Sequence, residues 1–254
     1  MFSSLSLLIG GRFSRAKQRD KMVSFISLSS TIGIAVGVAV IIIGLSAMNG
    51  FERELESRVL SVIPHGEFEG VNEPVTRWEH VITQSEQHDK VVAAAPYVKI
   101  TALAEKGKEL KAIEVRGVDP KREQEVSSLS NFIDKHAWSE FKAGQQQIIL
   151  GSGVANVLGA KVGDYLTLMI PTVNGSVKVQ APKRVRVKVV GLLTLNGQID
   201  HSLALIPLGD AQVYANLSEA VTGVSLKVTD VLNANSIVRE VGNQLDVYVY
   251  LRSW

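Results

Sequence analysis

Few side chains in this sequence are spaced for covalent chemistry. Five histidines occur (His65, His80, His88, His136 and His201), and none pairs as H-x-x-x-H or H-E-x-x-H, the spacing that sets two imidazoles on one helix face around a zinc ion. Asp200 and His201 are adjacent. Neighbours on a strand point to opposite faces, so the pair reads as part of a surface loop rather than an acid–base couple. Gly151-Ser152-Gly153 lacks the G-x-S-x-G form of a nucleophile elbow and reads as a helix start. There is no G-x-x-x-x-G-K-[ST] phosphate loop and no cysteine, which excludes a thiol nucleophile, a disulfide framework and a Cys-based zinc site. No catalytic residue, metal or cofactor is expected. The chemistry left is binding.

The candidate binding residues lie in one apolar run. From Met22 to Phe51 there is no charged side chain, and about 20 apolar residues suffice to cross a bilayer as a helix. A buried core helix and a signal peptide are the rivals. The run is too long for the 7–15 apolar residues usual in a signal peptide, and Ser46-Ala47-Met48 is a poor cleavage site. Within the run, Gly33, Gly37, Val40, Gly44, Ala47, Met48 and Phe51 follow at helical spacing and form one stripe. Its small residues let another helix or a lipid chain come close. Met48 and Phe51 add an adaptable and a large apolar side chain at the outer end. Helix packing is the reading for Gly33 and Gly37. For the outer half, packing and a lipid-facing cleft both stand. Arg12, Arg15, Lys17, Arg19 and Lys21 precede the run and the acidic Glu52-Arg53-Glu54-Leu55-Glu56 follows it, so the N-terminus is expected in the cytoplasm.

The chain has 254 residues and a net charge of +2. Five of its 27 basic and one of its 25 acidic residues lie in 1–51, leaving 22 against 24 beyond. That balance argues against a nucleic-acid binder, which carries a concentrated basic face. Residues 1–21 read as a cytoplasmic or interfacial segment and 22–51 as the transmembrane helix. The helix is expected to continue as a stalk to Pro64.

Periodicity then predicts a helix near Val75–Gln87 and a buried strand at Val91–Val98. A hairpin follows, in which Ile100–Glu105 and Glu109–Arg116 flank Lys106-Gly107-Lys108. Short helices are predicted at Asp134–Lys142, Val154–Leu158 and Asp210–Leu217, with strands at Ile148–Leu150, Tyr165–Ile170, Leu203–Ile206 and Val224–Val228. Val185, Val187 and Val189 alternate with Arg184, Arg186 and Lys188, a half-buried strand whose basic face is either solvated or docks an acidic partner or lipid headgroup. Asp230 is expected to cap a helix running to Leu245 with Ala234, Ile237, Val238, Val241 and Leu245 on its apolar face, before a strand at Val247–Leu251. The fold class is therefore α+β: an N-terminal transmembrane helix, then a mixed α/β outer domain (52–117 and 210–254) with an inserted β-rich subdomain at 118–209. Arg252-Ser253-Trp254 suits a membrane interface, as if another span followed.

The strings SLLIGGRFSR, STIGIAVGVAVIIIGLSAMNGFERELESRVLSVIPHGE, QQQIILGSGVANVLGAKVGDYLTLMIP, QIDHSLALIPLGDAQ and TDVLNANSIVREVGNQLDVYVYLRSW closely resemble the LolE-type permeases of the bacterial lipoprotein-releasing ABC transporter, LolCDE. MacB- and FtsX-type permeases are more distant relatives. The most specific part is Met48-Asn49-Gly50-Phe51-Glu52-Arg53-Glu54-Leu55, a junction shared with LolC. The resemblance implies a non-catalytic inner-membrane subunit of four spans, with its main domain, between the first two, in the periplasm. It implies a heterodimer with a LolC-like permease on a LolD-like ATPase dimer. Lipoprotein would enter a cleft from the outer leaflet and pass to the periplasmic carrier LolA, mainly through LolC. The cleft positions that match are Gly44, Ala47, Met48 and Phe51, with Val40 below them on the stripe, in contact with membrane lipids. The loop Pro171–Pro182, with Asn174-Gly175 at its centre, is a possible partner contact. Alternatives are a MacB/FtsX-like mechanotransmission permease for another substrate, a single-span periplasmic sensor and, weakest, an anchored hydrolase.

Overall fold

The computed structural model describes residues 8–12, 21–55, 62–171, 181–195 and 197–253, in two units divided after Leu55. Residues 8–12 are helical. The main element of the first unit is α1 (Lys21–Leu55), 35 residues long. Its segment Ser24–Phe51 has 28 residues, about 42 Å at 1.5 Å each, against a hydrocarbon thickness of about 30 Å. A helix with no water around it must satisfy its own polar groups. Thr31 does so by donating its hydroxyl to the Ser27 carbonyl at 2.8 Å. The stalk expected up to Pro64 is helical as far as Leu55. Its remainder at 56–61 lies outside the described residues.

The second unit opens with β1 (Gly66–Gly70), α2 (Trp78–Glu86), β2 (Val91–Lys106), β3 (Glu109–Val118), α3 (Pro120–Val126) and α4 (Lys135–Ser139). Then come β4 (Gln147–Gly151), α5 (Ser152–Leu158), β5 (Tyr165–Ile170), β6 (Lys183–Leu193), β7 (Leu203–Pro207) and α6 (Leu208–Ala215). It closes with β8 (Gly223–Val228), α7 (Ala234–Gly242) and β9 (Val249–Ser253). Helix starts are chemically marked. Asp119 and Asp134 each accept two backbone N–H groups at the first turns of α3 and α4, and Pro120 stands where its missing N–H costs nothing. Asp230 instead holds the turn before α7, accepting from Leu232 and Asn233; the helix itself starts after Asn233 and ends at Gly242, short of Leu245.

All nine strands form one sheet, in the order β3-β7-β4-β6-β5-β2-β8-β1-β9, and β3 also pairs with β2. That extra pairing closes the first six strands into a barrel. Alternate residues fill a small barrel's interior, here Ile100, Ala102, Ile113, Val115, Leu150, Leu168, Val187 and Ile206, all buried. The remaining strands extend the first half of β2 as an antiparallel sheet, β2-β8-β1-β9. In it, β1–α2–β2 and β8–α7–β9 are two split βαβ units. Val81 and Ile82 of α2 pack on one face with Ile237, Val238 and Val241 of α7. Val126 of α3 packs on the other, against Ala93 and Ala95.

This pairing moves the boundary of the β-rich insertion. The sequence placed it at 118–209, with both hairpin strands outside. In the structure β3 is a barrel strand, and the changeover falls inside β2. Residues 91–97 pair with β8 and 97–106 with β3. The chain returns to the split βαβ sheet at β8. Val98-Lys99-Ile100 carries no turn signal, because β2 is one continuous strand of 16 residues and there Lys99 is exposed between two buried neighbours.

Candidate functional site

The stripe on α1 stands on a regular helix. Residues advance by about 100°, which keeps Gly33, Gly37, Val40, Gly44, Ala47, Met48 and Phe51 within about 60° of one line. Val40, Met48 and Phe51 are 62%, 65% and 61% exposed. A Cβ built on Gly33, Gly37 or Gly44 would meet nothing within 4 Å. The helix is apolar around its whole circumference, since Ile34, Ile41, Ile42, Ile43 and Leu45 are equally exposed. The surface therefore suits an apolar solvent or apolar partners.

The other sequence-derived positions are scattered over the second unit. Pro171 and Pro182 are exposed, while Asn174 and Gly175 lie outside the described residues. Lys183, just after that loop, donates its ammonium to the Val213 and Tyr214 carbonyls and to Asn216 Oδ1, the oxygen-rich end of α6. The basic face of β6 is partly neutralised. Arg184 pairs with Glu105, Arg186 lies over the Tyr165 ring at 4.4 Å, and Lys188 is exposed.

Asp200 corrects the sequence reading. Only His201 is on the surface; the Asp200 carboxylate is buried. It accepts from the Leu195 N–H at 2.9 Å and the Ser152 hydroxyl at 3.2 Å. A loop carboxylate buried this way organises backbone and explains why Ser152, at the start of α5, sits opposite it.

A charged cluster missed by the sequence reading lies where the barrel meets the split βαβ sheet. Arg116 of β3 pairs with Glu67 of β1 at 2.8 Å, across β2 and β8. At about 4.8 Å between strands, only long side chains span that width. Between them lies Tyr97 of β2, fully buried, with Arg116 stacked 4.1 Å above its ring and its hydroxyl 3.3 Å from Glu67. A Cβ at Gly223 would stand 2.9 Å from that hydroxyl and 2.2 Å from the Phe68 carbonyl oxygen, so glycine is needed there. Burial drives the Tyr97 phenol well above its ordinary pKa, and the Glu67 carboxylate adds to this. For Arg116, burial pulls downward, but Glu67 and Glu123 outweigh it and hold the guanidinium above its ordinary value. The available signal was alternation: Glu67/Glu69 and Glu114/Arg116 each put two charges on one strand face.

A profile of the MacB-like periplasmic core domain matches residues 27–244. The chain is 40% identical to "Lipoprotein-releasing system transmembrane protein LolE" of Haemophilus influenzae over 97% of its length and 60% of that protein. It is 35% identical to "Lipoprotein-releasing system transmembrane protein LolC" of Neisseria meningitidis serogroup B over 99% of its length and 61% of that protein. The chain thus spans about 60% of the curated relatives it matches. The extracellular domain of the ABC-type transporter YknZ from Gram-positive bacteria aligns with 75% of this chain and 98% of that one, at 16% identity and a TM-score of 0.46. By the matched profile, which covers most of its length, the chain belongs to the MacB-like periplasmic core domain family.

Proposed function

We propose that this chain is part of a permease that takes lipoproteins from the outer leaflet of the inner membrane and releases them to a periplasmic carrier. The observation that carries the proposal is the α1 stripe, together with the family. The helix has no charge from Met22 to Phe51, and its outer half presents Val40, Gly44, Ala47, Met48 and Phe51 on one side. An acyl chain gains about 0.8 kcal/mol per CH₂ from the membrane, so removing a lipoprotein requires an apolar receiving surface and external work. Small and flexible side chains receive acyl chains without fixing their shape. In this reading the N-terminus is cytoplasmic, and Gly33 and Gly37 pack against a LolC-like partner helix. The work comes from ATP hydrolysis on a LolD-like dimer. The carrier, LolA, docks mainly on the partner permease, with the loop Pro171–Pro182 as a secondary contact.

Photo-crosslinking from Met48 tests this in membranes containing the full-length chain and its partner subunits. The expected product contains acylated lipoprotein and disappears when ATP is supplied. Crosslinks only to another permease helix, with or without substrate, would reduce the stripe to subunit packing.

A further inference from the structure

The junction cluster is incompletely satisfied, and the unsatisfied atoms are complementary. Arg116 keeps Nε and Nη2 buried without a hydrogen-bond partner. Glu123, on α3, is 1% exposed. One of its oxygens accepts from the Ser127 hydroxyl at 2.7 Å, and the other, Oε2, is buried without a partner. Orphaned buried donors and acceptors cost more than a made hydrogen bond returns, so each calls for a physical explanation. Here donors and acceptor carry opposite charge. Glu123 acts on Arg116 electrostatically, yet the two make no ion-pair contact. Both line a cavity of about 380 Å³, which gives their side chains room to move.

We propose that Arg116 is a two-position latch between the barrel and the split βαβ sheet, held by Glu67 in this structure and taken by Glu123 when α3 and β3 close on each other. Arg116 belongs to the barrel and Glu67 to the first strand of the split βαβ sheet. Glu123 belongs to the connection that leaves the barrel strand and lies back over that sheet. Moving the guanidinium to Glu123 satisfies Oε2 in exchange for the pair with Glu67 Oε1, while Glu67 Oε2 keeps the Tyr97 hydroxyl, so the second arrangement has comparable hydrogen bonding. Two packings of similar energy make a bistable element. The chain's connectivity places it where it can be driven. Val62, Ile63 and Pro64 line the same cavity, as do Arg252 and Ser253. The former are the first described residues after α1, and β1 follows them directly. A pull on either segment therefore acts on β1, where Glu67 sits. This stands independently of what the permease carries.

These 254 residues hold no cysteine, so once any cysteine elsewhere in the full-length chain is replaced, introduced labels report only their own sites. Spin labels at Lys108→Cys, on the barrel hairpin, and Glu79→Cys, on α2, report the barrel-to-sheet distance in the full-length chain in lipid nanodiscs. Hydrogen exchange of the α3 amides, 121–126, gives a second readout. Glu67→Gln should move the distance distribution one way and slow α3 exchange, because Glu123 now holds Arg116. Glu123→Gln should move it the opposite way and speed α3 exchange. Each shift in population should be about tenfold or more, the change expected from losing one charge-assisted hydrogen bond. A fixed structural ion pair predicts that both variants loosen the junction in the same direction, or that neither moves it. Either result overturns the latch.

Discussion

Helix α1 and the barrel are built from the same side chains in opposite surroundings. Ile34, Ile41 and Leu45 on the helix are 60% exposed or more, whereas Ile148, Leu150 and Leu168 in the barrel are 0% exposed. Apolarity alone therefore does not say what a residue packs against; the pattern does. A run of 30 residues without a charge offers no polar face, so its surroundings must be apolar everywhere. Alternation, as in Arg184-Val185-Arg186-Val187-Lys188-Val189, offers one face to the core and one to water. The two regions also differ in how they hold polar groups. The helix consumes its own, while the second unit spends long charged side chains on joining parts distant in sequence.

The largest test of this contrast is one truncation made in both places. Leu150→Ala should lower the stability of the second unit by about 2–5 kcal/mol, the transfer term plus the cavity left in a filled barrel. Ile41→Ala should leave the unfolding midpoint of that unit unchanged, because Ile41 belongs to the other unit and is no member of that core. Denaturant unfolding followed by tryptophan fluorescence reads both. A drop for Ile41→Ala would show that the two units unfold as one and break the comparison.

A glycine pair sharpens it. Gly223→Ala forces a Cβ to within 2.2 Å of the Phe68 carbonyl oxygen, backbone that cannot yield cheaply, and should cost about 1–3 kcal/mol. Gly37→Ala meets no atom within 4 Å and should leave the second unit untouched. If the Gly33–Gly37 part of the stripe packs against a partner helix, Gly37→Ala should still reduce co-purification of the subunit that carries that helix, an effect without a folding cost.

Local elements were legible in the sequence wherever one period dominated. The face of α7 (Ala234, Ile237, Val238, Val241) and the buried valines of β6 stand where spacing put them, because a single amphipathic face leaves one orientation open. The stripe on α1 was legible as a stripe. Its role was not, because helix packing and lipid contact ask for the same small residues. Barrel closure was illegible: it depends on β3 pairing with both β2 and β7, and pairing partners far apart in sequence leave no local trace. Asp200 and Arg116 were missed for a related reason. A buried charge looks like a surface charge until its partners are known, and those partners lie at Ser152, 48 residues away, and at Glu67, outside the barrel in the split βαβ sheet.

The smallest expected effect concerns acid. Asp164 is held below the usual carboxylate range by the Lys106 ammonium, 2.8 Å away, and by the Lys161 N–H. Glu240 is held down by Lys90 and then His88. Asp230 is held down by the Asn233 side chain. Each carboxylate has a lower pKa folded than unfolded, so its contribution is fully present above the unfolded value of about 4 and is lost as pH falls through the folded one. Arg116 shifts upward and stays charged throughout. The second unit should therefore melt at a constant temperature between about pH 6 and 8 and lose stability below about pH 4. Asp164→Asn should make that acid decline slightly shallower, since exposed pairs contribute little. α1, with no titratable group from Met22 to Phe51, should keep its helicity across the same range. Circular dichroism and fluorescence melts recorded together would separate the two, and a parallel loss of both signals in acid would mean that helix and domain share more than a chain.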